Sequence, residues 1–367
     1  MSEYLASKAD QPLEVINLDR LEEEAGRIIP AGAFGYIQGG AGDEWTMKRN
    51  RAAFDDVQIV PRVLADLEKP DISTSIMGLD LPGPVILSPA AAHGLAHADG
   101  EKATARALAE LSSVMSISSY ANFTIEEIAE AGQGGIQWFQ LYMSKDDEFN
   151  RYLLDKAKSC GAGAIILTAD ATVGGNREAD AVNHFTFPLP MANLARFGEG
   201  KGQGIGEIYA KALQKISPRE VGKIAAWTSL PVIVKGIQCP EDALVAIGAG
   251  AAAVWVSNHG GRQLDGGPGA FDVLASIAEA VGGRVPVIFD SGIRRGQHIF
   301  KALAAGADLV GINRPVLYAL ALGGSKAVVS VFEHLHKELK MVMQLAGTPD
   351  IQAVKRASLV AVGKTGL

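Results

Sequence analysis

The stretch PVIVKGIQCPEDALVAIGAGAAAVWVSNH, Pro231 to His259, decides how the rest of the chain is read. It begins and ends on short apolar, β-branched runs, PVIVKGI from Pro231 and AVWVSNH from Ala253, with an Ala-rich segment of helical length between them. Apolar runs without polar alternation fit strands buried on both faces, as in a parallel sheet. The same rhythm extends outward in both directions from residue 84 onward: PVILSPA from Pro84, VMSISSY from Val114, IQWFQLY from Ile136, AIILTAD from Ala164, PVIFDSG from Pro286 and LVGINRP from Leu309. Intervening segments such as EKATARALAEL and RRGQHIFKALAAG carry apolar residues at helical spacing and end in or near glycine. Eight strand–helix units predict an α/β fold, a (β/α)8 TIM barrel with right-handed crossovers. A doubly wound open sheet shares the alternation, and the count of eight favours the barrel.

Two regions depart from the rhythm. Residues 1–83 read as an N-terminal helical extension that closes the barrel bottom or approaches the site. The Gly-rich, aromatic stretch 172–216, between strands four and five, reads as a lid loop over the mouth. With a barrel over 84–350, the expectation is one domain, 1–367. A formal net charge of -7 argues against nucleic acid or an anionic membrane as partner, since either favours a basic surface. The two cysteines, Cys160 and Cys239, have neither metal nor redox spacing. The polar N-terminus MSEYLASKADQ is no secretory signal, and the apolar stretch Ala243 to Val256 is too short to span a bilayer, so a cytoplasmic protein is expected.

Polar residues gather at the C-terminal ends of the runs, where barrel active sites form. They are Ser118, Gln140, Tyr142, Thr168, Asp170, Lys235, Ser257, His259 and Asp290, with Arg177, Arg262 and Arg314 just beyond. Any one alone reads as a cap or loop residue; chemistry at nearly every strand end does not.

These residues carry a resemblance. SNHGGRQLDG, Ser257 to Gly266, is similar to the signature of the FMN-dependent 2-hydroxy acid oxidase and dehydrogenase family. The resemblance continues through YIQGGAGDEWT, LSPAAAHGLAH, WFQLYM, LTADATVGGNR, VKGI and FDSGIRRGQHIFKALAAGAD, and so covers nearly the whole chain. AAHGLAH and GDEWT resemble the L-lactate oxidase branch more than the glycolate oxidase branch. It implies an FMN cofactor, oxidation of L-lactate by O2 to pyruvate and hydrogen peroxide, and a homotetramer.

It also implies roles. Removing a proton from a 2-hydroxy acid needs a base near neutrality, and His259 matches the family's base, with Asp170 to stabilise the imidazolium. Arg177 and Arg262 match two arginines that bind the substrate carboxylate, and Tyr36 and Tyr142 match the phenols on its oxygens. Lys235 matches the lysine that neutralises charge near N1 of the reduced flavin, while Ser118, Gln140 and Thr168 match hydrogen-bonding positions at the ring edge and Ser257 is a further cofactor-binding position. Pro89, Ala90 and Ala91 would pack on the ring. Asp290, Gly292, Arg294, Asn313 and Arg314, after strands seven and eight, match ribityl and phosphate contacts.

Two positions depart from the family. Asn313 replaces a glycine before the phosphate arginine, and Phe187 stands where lactate oxidases carry a lid tyrosine. His93 and His97, four apart, lack a zincin glutamate and read as packing or capping residues; no metal is expected. GQGIG, Gly202 to Gly206, has no strand before it and reads as lid. Rival functions are another acceptor or hydroxy acid within the family, a Schiff-base lyase using Lys235, and a non-catalytic flavin-binding protein.

Overall fold

The computed structural model describes residues 4–197 and 200–363. Positions 1–3 of the expected extension, 198–199 of the expected lid, and 364–367 at the end of the expected domain lie outside the described residues. Each of the eight apolar runs forms a strand: β1 Val85–Leu87, β2 Met115–Ser118, β3 Gln137–Leu141, β4 Ala164–Thr168, β5 Val232–Ile237, β6 Ala253–Val256, β7 Val287–Phe289 and β8 Leu309–Ile312. The strands are parallel, each beside its sequence neighbour, and β8 pairs with β1 through Val310 opposite Val85. Between β1 and β2, the Leu87 amide donates to the Val114 carbonyl at 3.2 Å and Ala90 bridges Ile117. These contacts close the sheet into a barrel and remove the open-sheet alternative.

The strands are apolar on both faces because both are covered. Inside the barrel, Ile86, Trp138, Ile166, Ile233, Trp255 and Ile288 form one buried cluster. The outer face packs against helices such as Gly100–Glu110, Ala270–Val281 and Gly296–Ala304. Local signals set the helix starts. Ser217 and Glu220 form a capping box with Pro218 at the first turn of Pro218–Thr228, and Thr124 and Glu127 do the same for Ile125–Ala131.

The N-terminal extension is only partly helical. Helices Leu18–Ala25, Ala31–Gln38 and Trp45–Ala52 are followed by the strand Val57–Ile59, which pairs antiparallel with Leu359–Ala361. A hairpin of Thr74–Ile76 with Leu79–Leu81 comes next, and Ile76 and Leu81 join the interior cluster from below. The extension therefore reaches both ends of the barrel: the hairpin plugs the bottom, and Ala31–Gln38 carries Tyr36 to the mouth. The lid holds short helices Glu178–Val182 and Ile205–Tyr209 and is well packed, with Phe187, Met191, Ile208 and Tyr209 buried.

Helix Arg314–Ala346 has the length and apolarity to cross a membrane, more so than Ala243 to Val256, yet 83% of its apolar window is buried inside the protein. It is broken at Gly323 and Gly324, where φ/ψ are -164/25 and 61/-145. The N-terminal arm crosses at that break. The Gln11 amide donates to the Gly323 carbonyl at 3.1 Å, and a Cβ on Gly323 would lie 2.2 Å from the Gln11 carbonyl oxygen.

Candidate active site

The C-terminal mouth of the barrel holds a cavity with about 880 Å³ of atom-free space, its open side included. Tyr36, Pro89, Ala90, Ala91, Tyr142, Arg177, Lys235, His259, Arg262, Asp290, Gly292, Arg294, Asn313 and Arg314 all line it. Ser118, Gln140, Thr168, Asp170 and Ser257 stand behind that lining.

His259 leaves β6 in the left-handed region at φ 58, a conformation uncommon for a residue with a Cβ. Several contacts hold it there. Its amide donates to Ser257 Oγ at 3.1 Å, its Nδ1 lies 3.0 Å from Asp170 Oδ1, and its Nε2 lies 3.3 Å from the Tyr142 hydroxyl. Burial lowers the His259 pKa, and the facing Asp170 offsets only part of this. Burial alone would raise Asp170, but His259 and Lys235 outweigh it and the carboxyl sits below its ordinary range. The two directions agree on an ionised Asp170 beside a neutral imidazole. A carboxylate can only accept, so Nδ1 carries the proton and Nε2 keeps its lone pair.

A residue pair absent from the sequence reading anchors this loop. Asn50, on helix Trp45–Ala52, and Asn258 exchange reciprocal amide bonds of 2.8 and 2.7 Å in a buried environment. Asn258 Oδ1 also accepts from Gly261 N, and Asn50 Oδ1 from Ala270 N. The backbone on both sides of His259 is thus tied to the N-terminal extension.

Arg177 and Arg262 flank the Tyr36 ring, their guanidinium carbons 5.7 and 5.0 Å from its centroid. Arg262 donates to the Ile37 and Gly39 carbonyls, whereas buried Arg177 Nη1 has no hydrogen-bond partner. Burial and the neighbouring Arg177 lower the Arg262 pKa. Two desolvated cations beside a base form a receptor for a carboxylate.

The Lys235 ammonium donates to Ser257 Oγ at 2.7 Å and lies 3.3 Å from Asp290, which also accepts from Ser88 and Ser291. Along the rim of β2 to β4, Ser118 donates to Gln140 Oε1 and Gln140 to Thr168 Oγ1. Beyond β7 and β8, Arg314 donates only to the carbonyls of Ile37, Gly39 and Gly260. Burial, with Arg262 and Arg294 nearby, pushes its guanidinium down to about 9. Arg294 Nε is buried without a partner. Like charges gathered on neutral carbonyls suit a multiply charged anion, and a phosphate at the end of strands seven and eight meets that need.

Two tyrosines that the sequence reading passed over complete the walls. Tyr120 stacks on Tyr142 at 4.6 Å, and lid Tyr209 meets Tyr142 edge-on at 5.6 Å. Phe187 packs edge-on to Tyr36 at 4.9 Å. The two histidines set aside as metal ligands are occupied elsewhere: His93 Nδ1 bonds Thr104, and His97 Nε2 bonds the Ala9 carbonyl. Among the described residues no group of three or more His, Cys, Asp or Glu is arranged to hold a metal.

Residues 25–361 match the model of the FMN-dependent dehydrogenases. The chain belongs to the FMN-dependent dehydrogenase family. Among curated relatives, an L-lactate oxidase of Lentilactobacillus hilgardii is 58% identical over 361 residues, 98% of each chain. Glycolate oxidase 1 of Oryza sativa subsp. indica is 38% identical over 94% of this chain and 96% of that one. A refolded Pediococcus acidilactici protein described as a lactate oxidase superposes with a TM-score of 0.94 at 58% identity, covering 98% of each chain. A mandelate oxidase with (S)-4-hydroxymandelic acid gives 0.90 at 35% identity, covering 95% of this chain and 99% of that one.

This member of the FMN-dependent dehydrogenase family takes FMN as its cofactor. The side chains at the mouth fit it. Half-buried Arg294 and Arg314 suit the phosphate, the Lys235 ammonium suits a ring that gains negative charge on reduction, and the small Pro89–Ala91 wall leaves room for a flat ring system.

Proposed function

We propose that the protein is an L-lactate oxidase, converting L-lactate and O2 into pyruvate and hydrogen peroxide. The observation that carries this reading is the His259–Asp170 pair, largely withdrawn from solvent, whose imidazole Nε2, beside the Tyr142 hydroxyl, shares one cavity with two desolvated arginines. The names of the relatives support lactate as the substrate.

Arg177 and Arg262 bind the substrate carboxylate, and Tyr36 and Tyr142 hold its oxygens. These four contacts orient the carbon that carries hydrogen and hydroxyl, lowering the entropic part of the barrier. His259 Nε2 takes a proton from that centre, and Asp170 stabilises the resulting imidazolium without being protonated itself. FMN supplies the two-electron acceptor. Lys235, fixed by Ser257 and Asp290, places positive charge where the reduced ring needs it. Pro89, Ala90 and Ala91 form the wall against the ring, Ser118, Gln140 and Thr168 present a polar edge, and Gly292, Arg294, Asn313 and Arg314 receive the ribityl phosphate. The engaged Lys235 ammonium speaks against the Schiff-base alternative, which needs a free amine.

We further propose a cytoplasmic homotetramer. Val173, Val245 and Leu264 form exposed apolar surface around the ends of β4 to β6, suited to cover by another subunit. Light scattering on the eluting protein tests the subunit count.

The visible spectrum of the anaerobic protein, before and after L-lactate, tests the function. Flavin absorbance that bleaches and then returns in air with one peroxide per pyruvate is expected. A yellow protein that lactate fails to bleach would refute the substrate, and slow reoxidation in air would refute the use of oxygen.

A further inference from the structure

Asn313 links β8 to helix Arg314–Ala346 and occupies the N-cap position of that helix. Asparagine is among the favoured caps because its side-chain oxygen accepts from the amides of the first turn. Here it makes no such bond. The Val316 amide is satisfied instead by the Asn313 backbone carbonyl at 2.8 Å. The side-chain amide turns the other way, and Nδ2 donates to the Pro89 carbonyl at 2.9 Å.

That bond joins two parts of the cavity contributed by opposite ends of the barrel sequence. Pro89 begins the wall segment that leaves β1, and Asn313 is covalently joined to Arg314 at the phosphate end. The wall is already fixed at its far side, where Ala90 bridges Ile117 and the Ala92 amide donates to the Tyr120 carbonyl. On its near side the last backbone bond runs from the Ser88 amide to the Ile312 carbonyl at 2.9 Å, and Pro89 itself has no amide hydrogen to continue that ladder. The Asn313 amide therefore supplies a donor to the wall's near edge.

We infer that Asn313 is a positioning residue that ties the Pro89–Ala91 wall to the phosphate end of the FMN site, so that the two hold the cofactor as one unit. Glycine or alanine at this position retains the backbone but lacks the tie. The inference rests on the FMN site as assigned above.

Asn313→Gly and Asn313→Ala holoenzymes test it, with FMN release followed as the recovery of free-flavin fluorescence on dilution. Loss of one neutral hydrogen bond should speed release by about three- to tenfold. Hydrogen exchange at the amides of residues 90–92 should quicken in the same variants, a change that a side chain merely filling space near the phosphate would not cause. Equal or slower release with unchanged protection at 90–92 would overturn the tie. Faster release and exchange in an enzyme that lactate does not bleach would refute the proposed activity and leave the tie standing.

Discussion

Replacing Asp170 with asparagine preserves the size of the side chain and one acceptor, and removes its charge. Asp170 Oδ1 lies 3.0 Å from His259 Nδ1, and both side chains are largely withdrawn from solvent. At this separation and an effective dielectric of about 20, the attraction between carboxylate and imidazolium is roughly 5 kcal/mol. The amide recovers about 1 kcal/mol of that as a neutral hydrogen bond. A net loss of up to about 4 kcal/mol in the charge-separated transition state corresponds to as much as a thousandfold in rate. If only the difference between a charged and a neutral hydrogen bond is lost, about tenfold remains. The assay is anaerobic stopped-flow bleaching of the flavin by L-lactate in Asp170→Asn, with flavin content measured alongside. Because Asp170 holds the His259 pKa up against burial, the acid limb of the reduction rate should also move to lower pH in the variant. Reduction within threefold of the parent, with an unshifted acid limb, would refute the assigned pairing.

Other consequences can be checked separately. His259→Gln should retain bound flavin while reduction by lactate falls by orders of magnitude, read in the same stopped-flow experiment; near-normal bleaching would remove His259 as the base. Asn50→Ala removes both bonds to the Asn258 amide, which keeps only Pro268 O and Gly261 N, and leaves the buried Ala270 amide without its acceptor; it should cost about 1–3 kcal/mol in urea unfolding, with reduced kcat because the His259 loop loses its anchor. Burial raises the Glu101 carboxyl from 4.5 to about 7, so the folded protein keeps a proton that the unfolded chain has lost across this window. Stability should therefore fall as pH rises from about 4.5 to 7, by at most about 3 kcal/mol from this group, and Glu101→Gln should flatten that part of the profile. Parallel profiles for the two proteins would contradict it.

The eight strands were legible because a barrel strand is covered on both sides, which leaves a short unbroken apolar run in the sequence. The site residues were legible for the complementary reason: Asp170, Lys235 and His259 are polar groups at the ends of such runs, where burial is costly without a purpose. The bottom hairpin gave no comparable signal, since Thr74–Ile76 and Leu79–Leu81 each carry an exposed polar residue at the centre and so leave no unbroken apolar run. Asn50 was hidden in the polar helix WTMKRNRA, where an asparagine reads as solvent-facing until its partner 208 positions away is brought beside it. Tyr209 was obscured by a lid without periodicity. The full extent of helix Arg314–Ala346 was not legible, because a glycine pair such as Gly323–Gly324 ordinarily marks a helix boundary and here is a crossing point for another segment.

That crossing bears on how the chain can be made. Residues 9–11 seat on a glycine pair that emerges from the ribosome more than three hundred residues later. β1 likewise waits for β8, and Val57–Ile59 waits for Leu359–Ala361. The N-terminal segment therefore has no native place to go until the distant strands and glycine pair have been made, so closure is a late, long-range step. A bulky insertion beside Gln11 would disturb the seam at Gly323 and Gly324, whereas a tail attached to an independent domain would be indifferent to one.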